Sequence, residues 1–141
     1  MSVIFSKEQK DLLDLKIVAT VSVMTPSGYP HMTPIWFVEF KKKIYFSTET
    51  TRIKGKYVAK NEQISINITH PRGGPYVSIY GKAKIRREND FKDYKEVISL
   101  ILERYVKPSE KEEQLSNILK NKNRILVEIN PVRIISPKVV W

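Results

Sequence analysis

The sequence predicts a small closed or nearly closed β-barrel, mainly β, with helices placed between some of its strands. Apolar residues alternate with polar ones along six segments, and most of these segments are separated by short turns. Helical periodicity appears at four other places. Because 141 residues with 41% hydrophobic content can bury a core, and no linker or repeat divides the chain, we predict one domain over residues 1–141.

The alternating segments define the predicted, mostly antiparallel strands. They cover residues 17–23, 31–40, 44–48, 64–69, 77–85 and 125–129, and the last is expected to continue past Pro131. The lysine run 41–43 lies between the second and third segments, which favours a solvated hairpin turn. In the fifth strand, one face carries Tyr76, Tyr80 and Lys82, so we expect that face to contact water or a partner.

The helical patterns cover residues 7–15, 51–61, 90–105 and a segment after Pro108. Ser6 precedes the first helix and is a candidate cap. The third and fourth helices together occupy residues 90–122, a segment that we expect to shape either a substrate site or a dimer contact.

The composition excludes several classes of protein. With no cysteine, the chain has no disulfide, no thiolate nucleophile and no Cys-type metal site. No apolar run reaches membrane-spanning length, and residues 1–10 lack the pattern of a signal peptide, so we expect a cytoplasmic protein. The net charge of +10 fits a nucleic-acid-binding barrel, but scattered lysines and no recognition motif argue against specific binding.

The chain offers no evident proton-transfer machinery, so the catalytic residues stay unknown. His31 and His70 are too isolated to predict a metal site, and we expect a hydrogen-bonding or surface role for each. Any reaction would therefore rest on a bound cofactor.

The most informative segment for function is 46–54, where an extended run ends in hydroxyl residues and a helical pattern begins. Arg52 and Lys54 fall in the first turn, where acidic residues are usual because a helix start carries partial positive charge. Hydroxyls, free backbone N–H groups and two cations at one place indicate a phosphate site. The alternative is a capped helix with two solvated basic residues.

Five short motifs in a fixed order resemble the pyridoxamine 5′-phosphate oxidase-like superfamily. They are 17–21 (IVATV), 28–31 (GYPH), 33–37 (TPIWF), 44–48 (IYFST) and 51–54 (TRIK). The strand 77–83 (VSIYGKA) is similar to a long strand of that family with its Gly-x-Ala element. The resemblance implies a split β-barrel that binds FMN or the deazaflavin F420, as a homodimer with two cofactors between subunits.

Carried over by position, the resemblance assigns nine cofactor-binding residues. It implies that Arg52 and Lys54 hold the cofactor phosphate with the help of Thr51, and that Ser47 and Thr48 contact the ribityl or phosphate region. The isoalloxazine edge would be lined, largely through main-chain atoms, by Thr33, Pro34, Ile35 and Trp36. Alternatively, Ile35 and Trp36 are core residues, and Thr33 and Thr48 are ordinary strand residues.

Three departures from the family pattern argue against vitamin B6 synthesis. Thr33 stands where genuine pyridoxamine phosphate oxidases carry an arginine, and Ile53 separates two cations that are adjacent there. The substrate-phosphate arginines and histidine that such enzymes carry near their end are not apparent as a set in residues 132–141. The sequence thus favours an FMN-dependent oxidoreductase, with an F420-dependent reductase or a non-catalytic flavin or haem carrier as alternatives.

Overall fold

The computed structural model describes residues 3–137, so the last part of the segment 132–141 lies outside the described residues. Residues 3–137 contain four helices and seven strands. Their order is α1 (Lys7–Leu13), β1 (Ala19–Val23), β2 (His31–Ile35), β3 (Phe37–Phe40), β4 (Lys43–Glu49), α2 (Ile53–Val58), β5 (Gln63–Thr69), β6 (Tyr76–Arg86), α3 (Tyr94–Tyr105), α4 (Pro108–Lys120) and β7 (Arg124–Ile135).

All seven strands pair antiparallel in one sheet, in the order β2-β1-β5-β6-β7-β4-β3. The two edge strands, β2 and β3, are joined in the chain by a single residue, Trp36. Because one residue cannot span a flat sheet of this width, the sheet must curl until its edges meet at Trp36. The result is a curled half-barrel, which confirms the predicted split β-barrel.

The prediction of one strand over residues 31–40 is wrong, because the segment divides at Trp36 into two strands with different partners. β2 pairs with β1, whereas β3 pairs with β4. Alternation continues through the corner, since Ile35 and Phe37 are both buried, and it therefore gave no sign of the break.

The last strand, β7, completes the sheet by pairing with β6 on one side and β4 on the other. It runs through Pro131, as predicted, and the register with β6 shifts between Tyr80 and Gly81. A side chain at Gly81 would place its Cβ 2.7 Å from the carbonyl oxygen of Asn130. The irregularity therefore needs a glycine at this position.

The two faces of the sheet pack into separate apolar clusters. The interior of the half-barrel is filled mainly by aliphatic residues of the strands, with Phe37 and Phe46 fully buried among them. On the opposite face, α3 and α4 cover β3, β4 and the first half of β7 through a cluster that includes Tyr45, Ile98 and Leu126. The segment 90–122 is thus a helical hairpin packed against one side of the barrel.

The helices largely follow the predicted pattern, with differences at their ends. Ser6 caps α1 in a capping box with Gln9, as predicted. α2 is shorter than the predicted 51–61, and Arg52 occupies its N-cap without a side-chain cap. α3 begins at Tyr94 instead of residue 90, and Pro108 is the first residue of α4.

The lysine run forms the predicted hairpin turn between β3 and β4. Lys41 and Lys42 have φ angles of 51° and 69°, and left-handed values at both turn residues match the twist of a two-residue hairpin. Lys42 N donates to the Glu39 carboxylate, and Lys41 pairs with Asp93.

Candidate functional site: a basic cleft at the corner of the barrel

A cleft of about 530 Å³ lies at the corner where the sheet edges meet. Four parts of the chain form it: the residue before β1, the β2–β3 corner, the end of β4 with the start of α2, and the start of β7. The lining residues are Val18, Pro34, Ile35, Trp36, Ser47, Thr48, Arg52, Lys54 and Arg124. This volume is within the usual range of small-molecule sites.

Three cations line the cleft, and only one of them has an acidic partner among residues 3–137. Arg52 Nε donates to Glu49 Oε2 at 3.0 Å, whereas neither Lys54 nor Arg124 forms an ion pair with a described carboxylate. Part of the negative charge expected next to Arg52 is thus supplied by the carboxylate of Glu49.

The lowered pKa of Lys54 shows that its positive charge is disfavoured in the cleft. Burial lowers the pKa below its usual value, and the nearby charges of Arg52 and Arg124 lower it further. Like charges gathered in a half-buried cleft raise the free energy of the empty site, and an anion bound there would relieve this cost.

Several buried polar atoms of the cleft lack a hydrogen-bond partner among the described residues. They are Ser47 Oγ and Arg124 Nε, whereas Thr48 Oγ1, which also has no partner, faces the barrel interior. A buried polar group without a partner costs roughly 1–3 kcal/mol. The cleft therefore has hydroxyl and guanidinium groups available for the oxygens of a polar ligand.

Trp36 forms the wall of the cleft at the barrel corner. It is 43% exposed, so it is not a core residue. Its ring stacks on Tyr105 of α3 with centroids 5.3 Å apart and planes 4° from parallel. The Tyr105 hydroxyl is itself held at the barrel, donating to the Ile17 carbonyl oxygen at 2.8 Å. The indole is thus fixed as a flat surface before any ligand binds.

Seven of the nine predicted residues meet in the cleft, and the side chains of Thr33 and Thr51 do not line it. Thr33 pairs with Val21, whose side chain is fully buried, so it faces the barrel interior; only its main chain remains for a ligand. Thr51 is exposed in the turn before α2. Ile35 belongs to the interior cluster and also borders the cleft.

Val18 and Arg124 also line the cleft, although they were not predicted from the sequence. Arg124 reaches the cleft because it pairs with Glu49, which follows Ser47 and Thr48 in β4. No local pattern marks it, since an arginine at the start of a predicted strand is ordinary. Only the pairing of β4 with β7, across more than 70 residues of chain, brings it to the other cations.

The histidines lie away from the cleft. His70 Nδ1 accepts a hydrogen bond from Arg72 N, which is the hydrogen-bonding role predicted for it, and His31 lies in β2 beside a different surface hollow. Within residues 3–137, no group of three His, Asp or Glu residues is arranged to hold a metal ion. No helix in the same part of the chain has the length and apolarity to cross a bilayer.

The fold and the cleft together define a split β-barrel with a cationic cleft at its corner. The sequence model of the pyridoxamine 5′-phosphate oxidase family matches residues 5–136, and the chain belongs to this family. No curated protein sequence matches the chain.

Solved structures share the fold at low sequence identity. A conserved hypothetical protein, Rv2991 from Mycobacterium tuberculosis, is 20% identical with a TM-score of 0.78, covering 96% of this chain and 86% of its own. The haem storage protein HutZ from Vibrio cholerae is 13% identical with a TM-score of 0.74, covering 94% of each chain. An F420 reductase is 18% identical with a TM-score of 0.67, covering 89% of this chain and 94% of its own.

Proposed function

We propose that this protein is an FMN-dependent oxidoreductase that binds the FMN phosphate at Arg52, Lys54 and Arg124. The observation that carries the proposal is the cluster of three cations beside the unpartnered Ser47 hydroxyl in one cleft. Phosphate oxygens accept charge-assisted hydrogen bonds from such groups and offset their mutual repulsion. Bound FMN would supply hydride transfer through its N5 atom.

The rest of the cleft supports a flat ring next to the phosphate group. Ser47 and Thr48 lie along β4 in the lining of the cleft, where the Ser47 hydroxyl oxygen and the main chain of both residues suit the ribityl hydroxyls. Pro34, Ile35 and Trp36 offer an apolar edge with main-chain polar groups. The chain's own part is to anchor the phosphate, orient the ring and exclude water from one of its faces.

The lining favours a flavin over haem. Haem iron needs an axial ligand such as His, Cys, Met or Tyr. None of the described residues that line the cleft is of these types. F420 is the second cofactor that the site supports, because it also carries a phosphate, and an F420 reductase shares the fold.

A pair of charge reversals tests the phosphate site. The variant Arg52→Glu/Lys54→Glu should lose FMN binding by at least a hundredfold in isothermal titration, because two attractive contacts become repulsive. Lys56→Glu/Lys60→Glu is the matched control, since both lysines are exposed on or just after the same helix and lie outside the cleft lining. Equal FMN affinity in the two variants would refute the site.

Turnover is tested on the same protein. We expect FMN-loaded protein to lose its oxidised-flavin absorbance when a reduced nicotinamide is added. A parallel titration with F420 measures whether the protein binds that cofactor instead. Persistent flavin absorbance under these conditions would favour a carrier without its own reductase activity.

We further propose that the protein is a homodimer formed through the outer face of the barrel. This face exposes large apolar side chains on β2, β6 and β7, namely Met32, Tyr80 and Val132. Met32, Ser22, Ser65 and Tyr80 form one row across four adjacent strands. Pro34 and Val18 extend from this face to the cleft, so a partner seated there would cover the cofactor.

A further inference from the structure

A second cavity of about 280 Å³ lies between the α3–α4 hairpin and the sheet. Its walls are mainly aliphatic, formed by Ile98, Ile101 and Leu102 of α3 and by Ile118 of α4. Gln114 and Asn117 of α4 add amide groups. This volume lies at the lower end of small-molecule sites, which begin at about 300 Å³, so the cavity suits a small ligand.

This cavity adjoins the basic cleft. Trp36, Ser47 and Arg124 line both spaces, so they form a shared wall. β4 explains the arrangement: Ser47 follows Tyr45 on the face covered by the helices, while Thr48 faces the barrel interior. A molecule in the second cavity would therefore contact the same indole that borders the proposed ring site.

The polar groups of the cavity lie at the shared wall and along α4. Ser47 Oγ and Arg124 Nε are buried without partners among the described residues, and both can donate a hydrogen bond. Amide N–H groups of Gln114 and Asn117 add further donors. Aliphatic walls with several donors suit an apolar molecule that carries an acceptor oxygen.

We propose that the cavity under α3 and α4 is the substrate compartment, and that it binds a small apolar carbonyl compound with its oxygen toward the Ser47 hydroxyl. The assignment to a substrate rests on the proposed function, because it places the carbonyl group beside the ring site at Trp36. Binding of the compound itself depends only on the cavity. This assignment of the cavity gives the helical segment 90–122 a role in selecting the substrate.

Methyl NMR on protein with labelled isoleucine methyl groups tests the compartment, with acetophenone as the probe and ethylbenzene as its counterpart without oxygen. We expect saturable shifts at Ile98, Ile101 and Ile118, with Ile66 and Ile68 of the barrel interior unmoved. The ketone should bind about fivefold more tightly, because it gains a hydrogen bond from the Ser47 hydroxyl. Equal affinity of the two probes, or no saturable shift, would overturn the proposal.

Two tryptophan substitutions on α4 locate the site. Asn117→Trp should fill the cavity mouth and weaken acetophenone binding at least tenfold, whereas Glu113→Trp, at an exposed position outside the lining, should leave binding unchanged. Circular dichroism and the interior methyl signals verify that both variants fold. Unchanged acetophenone binding in Asn117→Trp contradicts the assignment.

Addition of FMN separates this inference from the proposed function. Because the two ligands would occupy adjoining spaces, acetophenone shifts should persist when FMN saturates the protein. Loss of those shifts by competition overturns the compartment. If FMN does not bind and acetophenone still moves the three methyl groups, the proposed function fails and the cavity stands as a binding site.

Discussion

Lys54 carries its positive charge into a cleft that already holds Arg52 and Arg124. Its lowered pKa means that the protonated side chain is less stable in the folded protein than in the unfolded chain. The residue therefore opposes folding of the empty protein while favouring an anionic ligand. Such opposition between stability and binding is common at functional sites.

We predict that Lys54→Met stabilises the empty protein by less than about 1 kcal/mol, since the charge is partly exposed and screened. The sign follows from the lowered pKa: the destabilisation is complete below the folded pKa and is relieved as pH rises from that value to the unfolded value of 10.5. The advantage of the variant in thermal unfolding should thus be largest near neutral pH and shrink toward pH 10.5.

The same substitution should weaken FMN binding by about 10- to 100-fold, which is the effect of removing one charged hydrogen bond. Lys56→Met, at an exposed position on the same helix, serves as the control in both measurements. A variant that is less stable than the wild type at neutral pH would contradict this account of Lys54.

Glu128 is the one charged residue classed as buried within residues 3–137, and its carboxylate is fully surrounded by partners. Tyr45 Oη donates to Oε1 at 2.6 Å, Arg86 Nη2 lies 3.2 Å from Oε2, and Lys43 Nζ lies 3.6 Å from Oε1. Burial, with the Glu128 hydrogen bond, raises the pKa of Tyr45 above its usual value, so the phenol stays a donor. The network connects β4, β6 and β7.

Removal of this carboxylate should be costly. We expect Glu128→Ala to reduce the free energy of unfolding by about 2–4 kcal/mol, because it leaves Arg86 and the Tyr45 hydroxyl without their acceptor. Urea denaturation measures the loss. Glu103→Ala, which removes an exposed carboxylate 3.9 Å from Lys111, should change stability by less than about 1 kcal/mol. Similar losses in the two variants would argue against the network.

Among the elements, α2 packs tightly against the end of β4 at Gly55. Gly55 lies against the end of β4, where a Cβ atom would overlap the carbonyl oxygen of Glu49 and lie 2.9 Å from its carbonyl carbon. Both are backbone atoms, so they cannot rotate away from a new Cβ as a flexible side chain could. This contact fixes the position of the short helix, and with it the positions of Arg52 and Lys54.

We predict that Gly55→Ala destabilises the protein by about 1–3 kcal/mol, the usual cost of overpacking. Helix propensity alone would give the opposite sign, since alanine is favoured over glycine by roughly 1 kcal/mol. FMN affinity should fall as well, because α2 must move away from the cleft. Thermal unfolding and FMN titration measure the two effects, with Lys56→Ala as the control on the same helix. A stabilised Gly55→Ala variant would show that the contact is not tight.

The sequence predicted the elements where local pattern determines them, and it failed where the neighbouring strand decides. Alternation identified β5 because Ile64, Ile66 and Ile68 all face the interior. It could not identify the corner at Trp36, since inward-facing residues continue on both sides of it. Arg124 was missed for a related reason: its position beside Ser47 depends on the pairing of β4 with β7.

At the scale of the whole molecule, the proposed dimer depends on the exposed apolar side chains of the outer face of the barrel. If the proposed dimer forms there, Met32→Glu/Tyr80→Glu should give a monomer, because two buried apolar contacts become charged. Light scattering after size-exclusion chromatography measures the mass. Tyr29→Glu, at an exposed turn position, is the control and should remain a dimer. Retention of the dimer by the double variant would place the interface elsewhere.

β7 lies between β6 and β4 in the sheet, and this position has a consequence for folding during synthesis. A ribosome synthesises this strand after the other six described strands, yet β7 holds the β2-β1-β5-β6 part of the sheet to the β4-β3 part and supplies Arg124. Contacts between positions far apart in a chain form slowly. A nascent polypeptide that ends before residue 124 therefore lacks one of the three cations of the cleft, and the proposed phosphate binding should wait until β7 has paired.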